Sequence, residues 1–171
     1  SGFTTPAATS AEMDAINLIA AKTTGIITAT FTASAANAAR LNSSTWTTNS
    51  STPGSDVLTA TITDAMSVQQ FTNLDGLTNQ SIVLNVGITD SLSAINDGSL
   101  TAGIEAAIDD DADITITLND LSIASTDFSK VNAIANATGF TGGVVATLEG
   151  TASQLAGTDL QNLSSAKDNL T

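Results

Sequence analysis

The densest set of side chains able to do chemistry is Asp109-Asp110-Asp111-Ala112-Asp113. Asp109, Asp111 and Asp113 repeat the Asp-x-Asp-x-Asp opening of calcium loops, where carboxylate oxygens from a short turn converge on a hard cation. The pattern then stops. Ile114 stands where such a loop turns on a glycine, no bidentate Glu follows at the expected place, and the glycine-rich nonapeptide of calcium-binding β-rolls is absent. A solvated acidic turn is the competing expectation. A second set is Asp64, Asp90 and Asp120, which follow Thr63, Thr89 and Asn119 at the ends of similar segments. An Asp just before a helix accepts hydrogen bonds from free backbone donors at the positive end of the dipole, so capping is expected. Stacked in register, the same carboxylates would repel one another unless a cation shielded them, and calcium is the ion they would take.

Other chemistries lack their residues. The chain has no His and no Cys, which removes the common nucleophilic triads and the preferred ligands of zinc. A paired-carboxylate or Ser-Lys mechanism remains, but Lys22, Arg40, Lys130 and Lys167 are scattered and no spacing singles out two facing acids. Thr138-Gly139-Phe140-Thr141-Gly142-Gly143 precedes a strand, whereas a phosphate loop lies between strand and helix, so it reads as a helix-ending turn. No catalytic residue and no bound organic cofactor are expected. Trp46, the single Trp, lies in a Ser/Thr-rich connection over 42–55. An indole folded onto a neighbouring helix is the plain expectation, and a glycan or small-ligand site built on Trp46 with nearby Asn and Asp is the functional one.

Seventeen acids against four bases give a formal net charge of −13, which repels nucleic acid and anionic lipid headgroups. No apolar run approaches the length of a membrane span, so direct membrane insertion is not expected. The opening Ser1-Gly2-Phe3 reads as that of an excised or processed piece, with any export signal outside it.

Those acids must be positioned by elements of two alternating kinds. Five short segments carry apolar residues at every second place: Ile27, Ala29, Phe31; Leu58, Ala60, Ile62; Leu84, Val86, Ile88; Ile114, Ile116, Leu118; and Val144, Ala146, Leu148. A period of two predicts strands with one buried face. The opposite positions are Thr28, Thr30, Thr32; Thr59, Thr61, Thr63; Asn85, Gly87, Thr89; Thr115, Thr117, Asn119; and Val145, Thr147, Glu149, a wet face for which the β-branched hydroxyl residue is suited. Between strands the apolar residues fall at helical steps: Met66, Gln70, Phe71, Leu74, Leu77; Leu100, Ile104, Ala107, Ile108; Phe128, Val131, Ile134, Ala135; and Leu160, Leu163, Ala166, Leu170. Before the first strand, Thr9-x-x-Glu12 is a capping box for an N-terminal capping helix over about 10–22, with Met13, Ile16, Ile19 and Ala20 buried.

Strand, crossover helix and strand in succession require parallel pairing with right-handed crossovers. Strands with a polar face are unlike those of a sheet covered on both sides. The expected fold is therefore α/β: a right-handed parallel β/α solenoid of about five strand-helix repeats, helices on one side, with 1–171 as a single repeat-built domain whose repeats start near 27, 58, 84, 114 and 144. A doubly wound α/β sheet is the main alternative, and an antiparallel β-sandwich the next.

The stretches Gly25-Ile26-Ile27-Thr28-Ala29-Thr30-Phe31-Thr32-Ala33-Ser34-Ala35-Ala36 and Gly143-Val144-Val145-Ala146-Thr147-Leu148-Glu149-Gly150-Thr151-Ala152-Ser153-Gln154-Leu155 resemble units of the giant Thr- and Ala-rich repetitive cell-surface proteins of marine cyanobacteria, including those linked to swimming without flagella. Related units also look like parts of phage tail fibres. The resemblance implies an exported modular array with a mechanical or adhesive job: a non-catalytic structural or interaction module, extracellular or at the cell surface, meeting neighbouring repeats, other surface proteins or glycans. Two other uses are open, a glycan- or small-ligand-binding extracellular domain and an ice-binding surface made by the outward threonines. Against the latter, Asn85, Gly87 and Glu149 interrupt the threonine array.

Overall fold

A computed structural model describes residues 2–23, 26–41, 57–78, 80–157, 160, 163 and 167–171. The chain forms two compact units, 1–86 and 87–171. Both are mixed α/β, and every strand pair in their sheets is parallel.

In the first unit β1 (Gly2–Ala8), β2 (Thr28–Ala33), β3 (Val57–Ile62) and β4 (Val83–Leu84) form one sheet in chain order. Helices α1 (Ser10–Ala20), α2 (Ala35–Ala38) and α3 (Val68–Asp75) lie in the connections. The alternating pattern has the predicted consequence: Ala29, Phe31, Leu58, Ala60 and Ile62 are buried, whereas Thr28, Thr30 and Thr59 are exposed. Met13, Ile16 and Ala20 of α1 and Phe71 and Leu74 of α3 are also buried. Each large apolar side chain so buried contributes roughly 1.5–3 kcal/mol.

The second unit holds β5 (Ile88–Asp90), β6 (Thr115–Leu118), β8 (Gly143–Ala146) and β10 (Asn169–Leu170), neighbours in that order, and a small second sheet of β7 (Ile123–Ala124) and β9 (Leu148–Glu149). Its helices are α4 (Leu92–Ile95), α5 (Ala102–Asp110), α6 (Phe128–Ala135) and α7 (Ala152–Leu155). Ile104, Ala107, Ile108, Phe128, Val131 and Ile134 are buried as the helical spacing predicts.

The structure departs from the sequence expectations at six places. The expected strand over 144–149 is split: β8 ends at Ala146, and half-buried Leu148 pairs with Ile123 in the small second sheet. A strand, β1, precedes the N-terminal helix; its register shifts between Thr5 and Ala8, across Pro6, whose missing N–H argues against a strand when read in isolation. The expected strand 84–89 is broken: Val86 is 49% exposed, and Gly87 is buried with φ at 104°. A Cβ at Gly87 would stand 2.0 Å from the Thr115 carbonyl oxygen, so the backbone approaches too closely for any side chain, and a straight strand cannot continue. Ile19 is 53% exposed, because the 3.6-residue turn carries it off the stripe of Met13, Ile16 and Ala20. Leu170 lies in β10, not on a helix with Leu160.

The sixth departure is in register. Leu58 pairs with Ala29, not Ile27; Leu84 with Ile62, not Leu58; and Val144 with Ile116, not Ile114. Every displacement is an even number of residues. Apolar side chains therefore still meet apolar side chains, since a period of two specifies the face and leaves even slips undetermined.

Candidate functional site

The polar side chains gather where strands run into helices. At five such corners a Ser or Thr hydroxyl oxygen accepts from the backbone N–H three residues on: Thr9 from Glu12, Ser34 from Asn37, Ser67 from Gln70, Ser91 from Ala94 and Thr151 from Gln154, at 3.2–3.4 Å. At three corners the exchange is reciprocal. Glu12 Oε2 accepts from Thr9 N at 2.7 Å, Gln70 Oε1 from Ser67 N at 2.9 Å and Gln154 Oε1 from Thr151 N at 2.8 Å, which completes capping boxes. The first was legible as Thr9-x-x-Glu12. Ser67-x-x-Gln70 and Thr151-x-x-Gln154 carry the same signal and were missed.

With the local caps supplied by Ser and Thr, two of the strand-end Asp residues, Asp64 and Asp120, reach a helix start earlier in the chain. Asp64 Oδ1 accepts from Ala35 N at 2.5 Å, 29 residues earlier, and Asp120 Oδ2 accepts from Leu92 N at 2.6 Å, 28 residues earlier. Each carboxylate caps the first residue of its neighbour's helix. Asp90 Oδ1 accepts from Ser91 N at 2.9 Å, so Asp90 and Asp120 serve adjacent donors at the start of α4, while Asp64 serves α2 in the first unit. The reading of these acids as caps for their own helices is thus corrected for Asp64 and Asp120: the helix each caps lies 28 or 29 residues earlier in the chain.

Other bonds join successive turns. Asn37 Nδ2 donates to Ala8 O (3.0 Å), Thr63 Oγ1 to Ala33 O (3.3 Å), Thr141 Oγ1 to Ala112 O (3.2 Å) and Gln154 Nε2 to Ser125 Oγ (2.9 Å), all between residues 29 or 30 apart. Buried Asn96 donates through Nδ2 to Lys130 O at 3.1 Å and accepts from Gly98 N.

The acidic run is arranged differently from a cation loop. Asp109 and Asp110 are the last residues of α5, Asp111 is its C-cap, and Asp113 is exposed in the turn before buried Ile114. Among the described residues no three Asp or Glu side chains stand together so as to hold a metal ion. Trp46 and the connection 42–55 lie outside the described residues.

A groove of about 550 Å³ runs between α5 and α6. Its acids, Glu105 and Asp109, are one turn apart on the same helix, and the facing wall of Ala133, Asn136, Ala137 and Thr138 has none. Two carboxylates on one wall cannot flank a bond from opposite sides, as glycoside hydrolysis requires.

Among the described residues of the first unit, Asp75 and Arg40 depart from ordinary behaviour. Partial burial at the C-terminus of α3 pushes the Asp75 carboxyl above the usual carboxylate range. The Arg40 guanidinium is raised by its hydrogen bond to Asp14 and by that carboxylate's charge, the two groups forming an exposed bidentate pair at 3.0 and 2.6 Å.

Compared with protein-family models, curated proteins and solved structures, the chain matches none.

Proposed function

We propose that this chain is a non-catalytic structural module of a large secreted or cell-surface repeat protein, built as a right-handed parallel β/α solenoid with its helices along one side of the sheets, and serving adhesion, surface-layer assembly or motility. The observation that carries the reading is the recurrence of side-chain bonds between residues one repeat apart, led by Asp64 to Ala35 and Asp120 to Leu92. Such bonds tie each turn to the next, which is how stability is distributed in a quasi-one-dimensional stack. Sequential strand order supports it, because a doubly wound sheet makes its ligand crevice where the order reverses. The Thr- and Ala-rich composition and the resemblance to cyanobacterial surface arrays support an exported location, with neighbouring repeats and other surface proteins or glycans as partners.

Antibodies raised against the folded chain test this on intact cells of the source. Labelling without permeabilisation is the expected result. Labelling only after the envelope is breached would overturn the surface assignment.

A further inference from the structure

The outward face of the first unit's sheet has a regularity that the capping network does not explain. Its register places Thr4, Thr30 and Thr59 side by side on β1, β2 and β3, Thr32 beside Thr61 and then Val83, and Gly2 beside Thr28 and then Val57. The residues that interrupt the threonines in the sequence, Asn85 and Gly87, fall outside these rows. Thr4, Thr28, Thr30, Thr59 and Val83 are exposed, and Thr32, Val57 and Thr61 half-buried. Within the described residues, none of the hydroxyls of Thr28, Thr30, Thr32, Thr59 and Thr61 is bonded to a protein group.

Strand geometry sets the grid. Residues two apart on a strand are separated by about 6.6 Å, and neighbouring strands by about 4.8 Å. A β-branched side chain is stiff at χ1, so hydroxyl and methyl repeat with the backbone lattice. No position in the rows is charged, although the chain carries a net charge of −13. The face therefore suits an uncharged, hydroxyl-bearing, periodic surface. Prism faces of hexagonal ice present oxygen rows with two repeats close to those of this grid. Binding a solid needs many weak contacts made at once, and a rigid sheet loses little conformational freedom in making them.

We propose that the Thr4, Thr28, Thr30, Thr32, Thr59 and Thr61 face of residues 1–86 binds ice. Among the described residues the second unit has no equivalent: its rows run Thr89, Thr117, Val145, Asn169 and Thr115, Gly143. This inference is independent of the structural role proposed above.

The test is ice grown from a seed crystal in buffer containing the full chain, scored for faceting and for the gap between melting and freezing temperatures. The native chain is expected to facet the crystal and open a gap that grows with concentration. The double variant Thr30→Lys/Thr59→Lys is expected to lose both effects. Thr30→Val/Thr59→Val keeps strand propensity and shape, so it is expected to keep its far-UV dichroism and melting temperature while losing the gap. Thr117→Lys, an outward strand residue outside the array, is expected to leave the gap intact. Rounded crystals with the native chain, or a full gap in either double variant, overturn the proposal. So does loss of the gap in Thr117→Lys, or adsorption to crystalline cellulose without any effect on ice.

Discussion

Removing the Asp64 carboxylate separates the two meanings of the strand-end acids. Its Oδ1 lies 2.5 Å from Ala35 N, and the bond joins residues 29 apart. Asp64→Ala leaves that N–H without an acceptor on a residue that is 3% exposed, although Asp64 itself faces solvent. Loss of a cap costs about 1 kcal/mol, and a part-buried donor left unpaired costs no less. For a unit of this size, that lowers the melting temperature by roughly 4–8 °C. Asp64→Asn keeps an acceptor without the charge and is expected to lose about half as much. The assay is denaturant and thermal unfolding followed by far-UV dichroism, with excess calcium and again with chelator. A cap works without a cation, so the native chain should melt alike in both conditions and the variant should fall by the same amount in each. In a cation ladder, chelation would itself destabilise the native chain by mass action, and the substitution would cost stability only in calcium. That second pattern, or an Asp64→Ala chain as stable as the native one, would refute the reasoning.

Two further perturbations test other parts of the structure. Gly87→Ala forces a side chain onto φ 104° and onto the Thr115 backbone; a loss of at least about 2 kcal/mol is expected from strain and steric displacement, read as an early unfolding transition of the second unit in a urea titration. Asp75→Asn removes a carboxylate whose pKa is raised by burial and which sits at a helix C-terminus. Because the folded pKa lies above the unfolded one, folding favours the protonated acid, and stability falls as pH rises from the ordinary carboxylate value through the raised one. The variant should therefore be more stable than the native chain at neutral pH, by about 0.3–1 kcal/mol, and the gain should vanish in acid below the ordinary carboxylate range; equal stability across that titration would contradict the burial argument.

Much of the fold was legible from local pattern. Alternation at Ala29 and Phe31, or at Leu58, Ala60 and Ile62, specifies a strand with one buried face whatever lies beside it. Thr9 and Glu12 specify a helix start, because the bonds that make it lie within four residues. The succession of strands and helices then required the parallel pairing that is observed. What misled the reading was also local. β1 carries no run of alternating apolar residues, and the periodic spacing of Leu84, Val86 and Ile88 hid the break at Gly87, whose cause is a backbone carbonyl belonging to Thr115.

The candidate sites divide in the same way. That Asp64 and Asp120 stand at strand ends is sequence information, and their role as hydrogen-bond acceptors for helix donors follows from chemistry alone. Which helix each serves could not be read, because the choice between a donor nearby in the chain and one 28 or 29 residues away depends on tertiary packing. The threonine rows depend on register in the same manner. Side-chain alternation determined that Thr30 and Thr59 face outward; only the pairing of backbones, which slides in steps of two without exposing any apolar residue, decided that they stand next to each other and to Thr4.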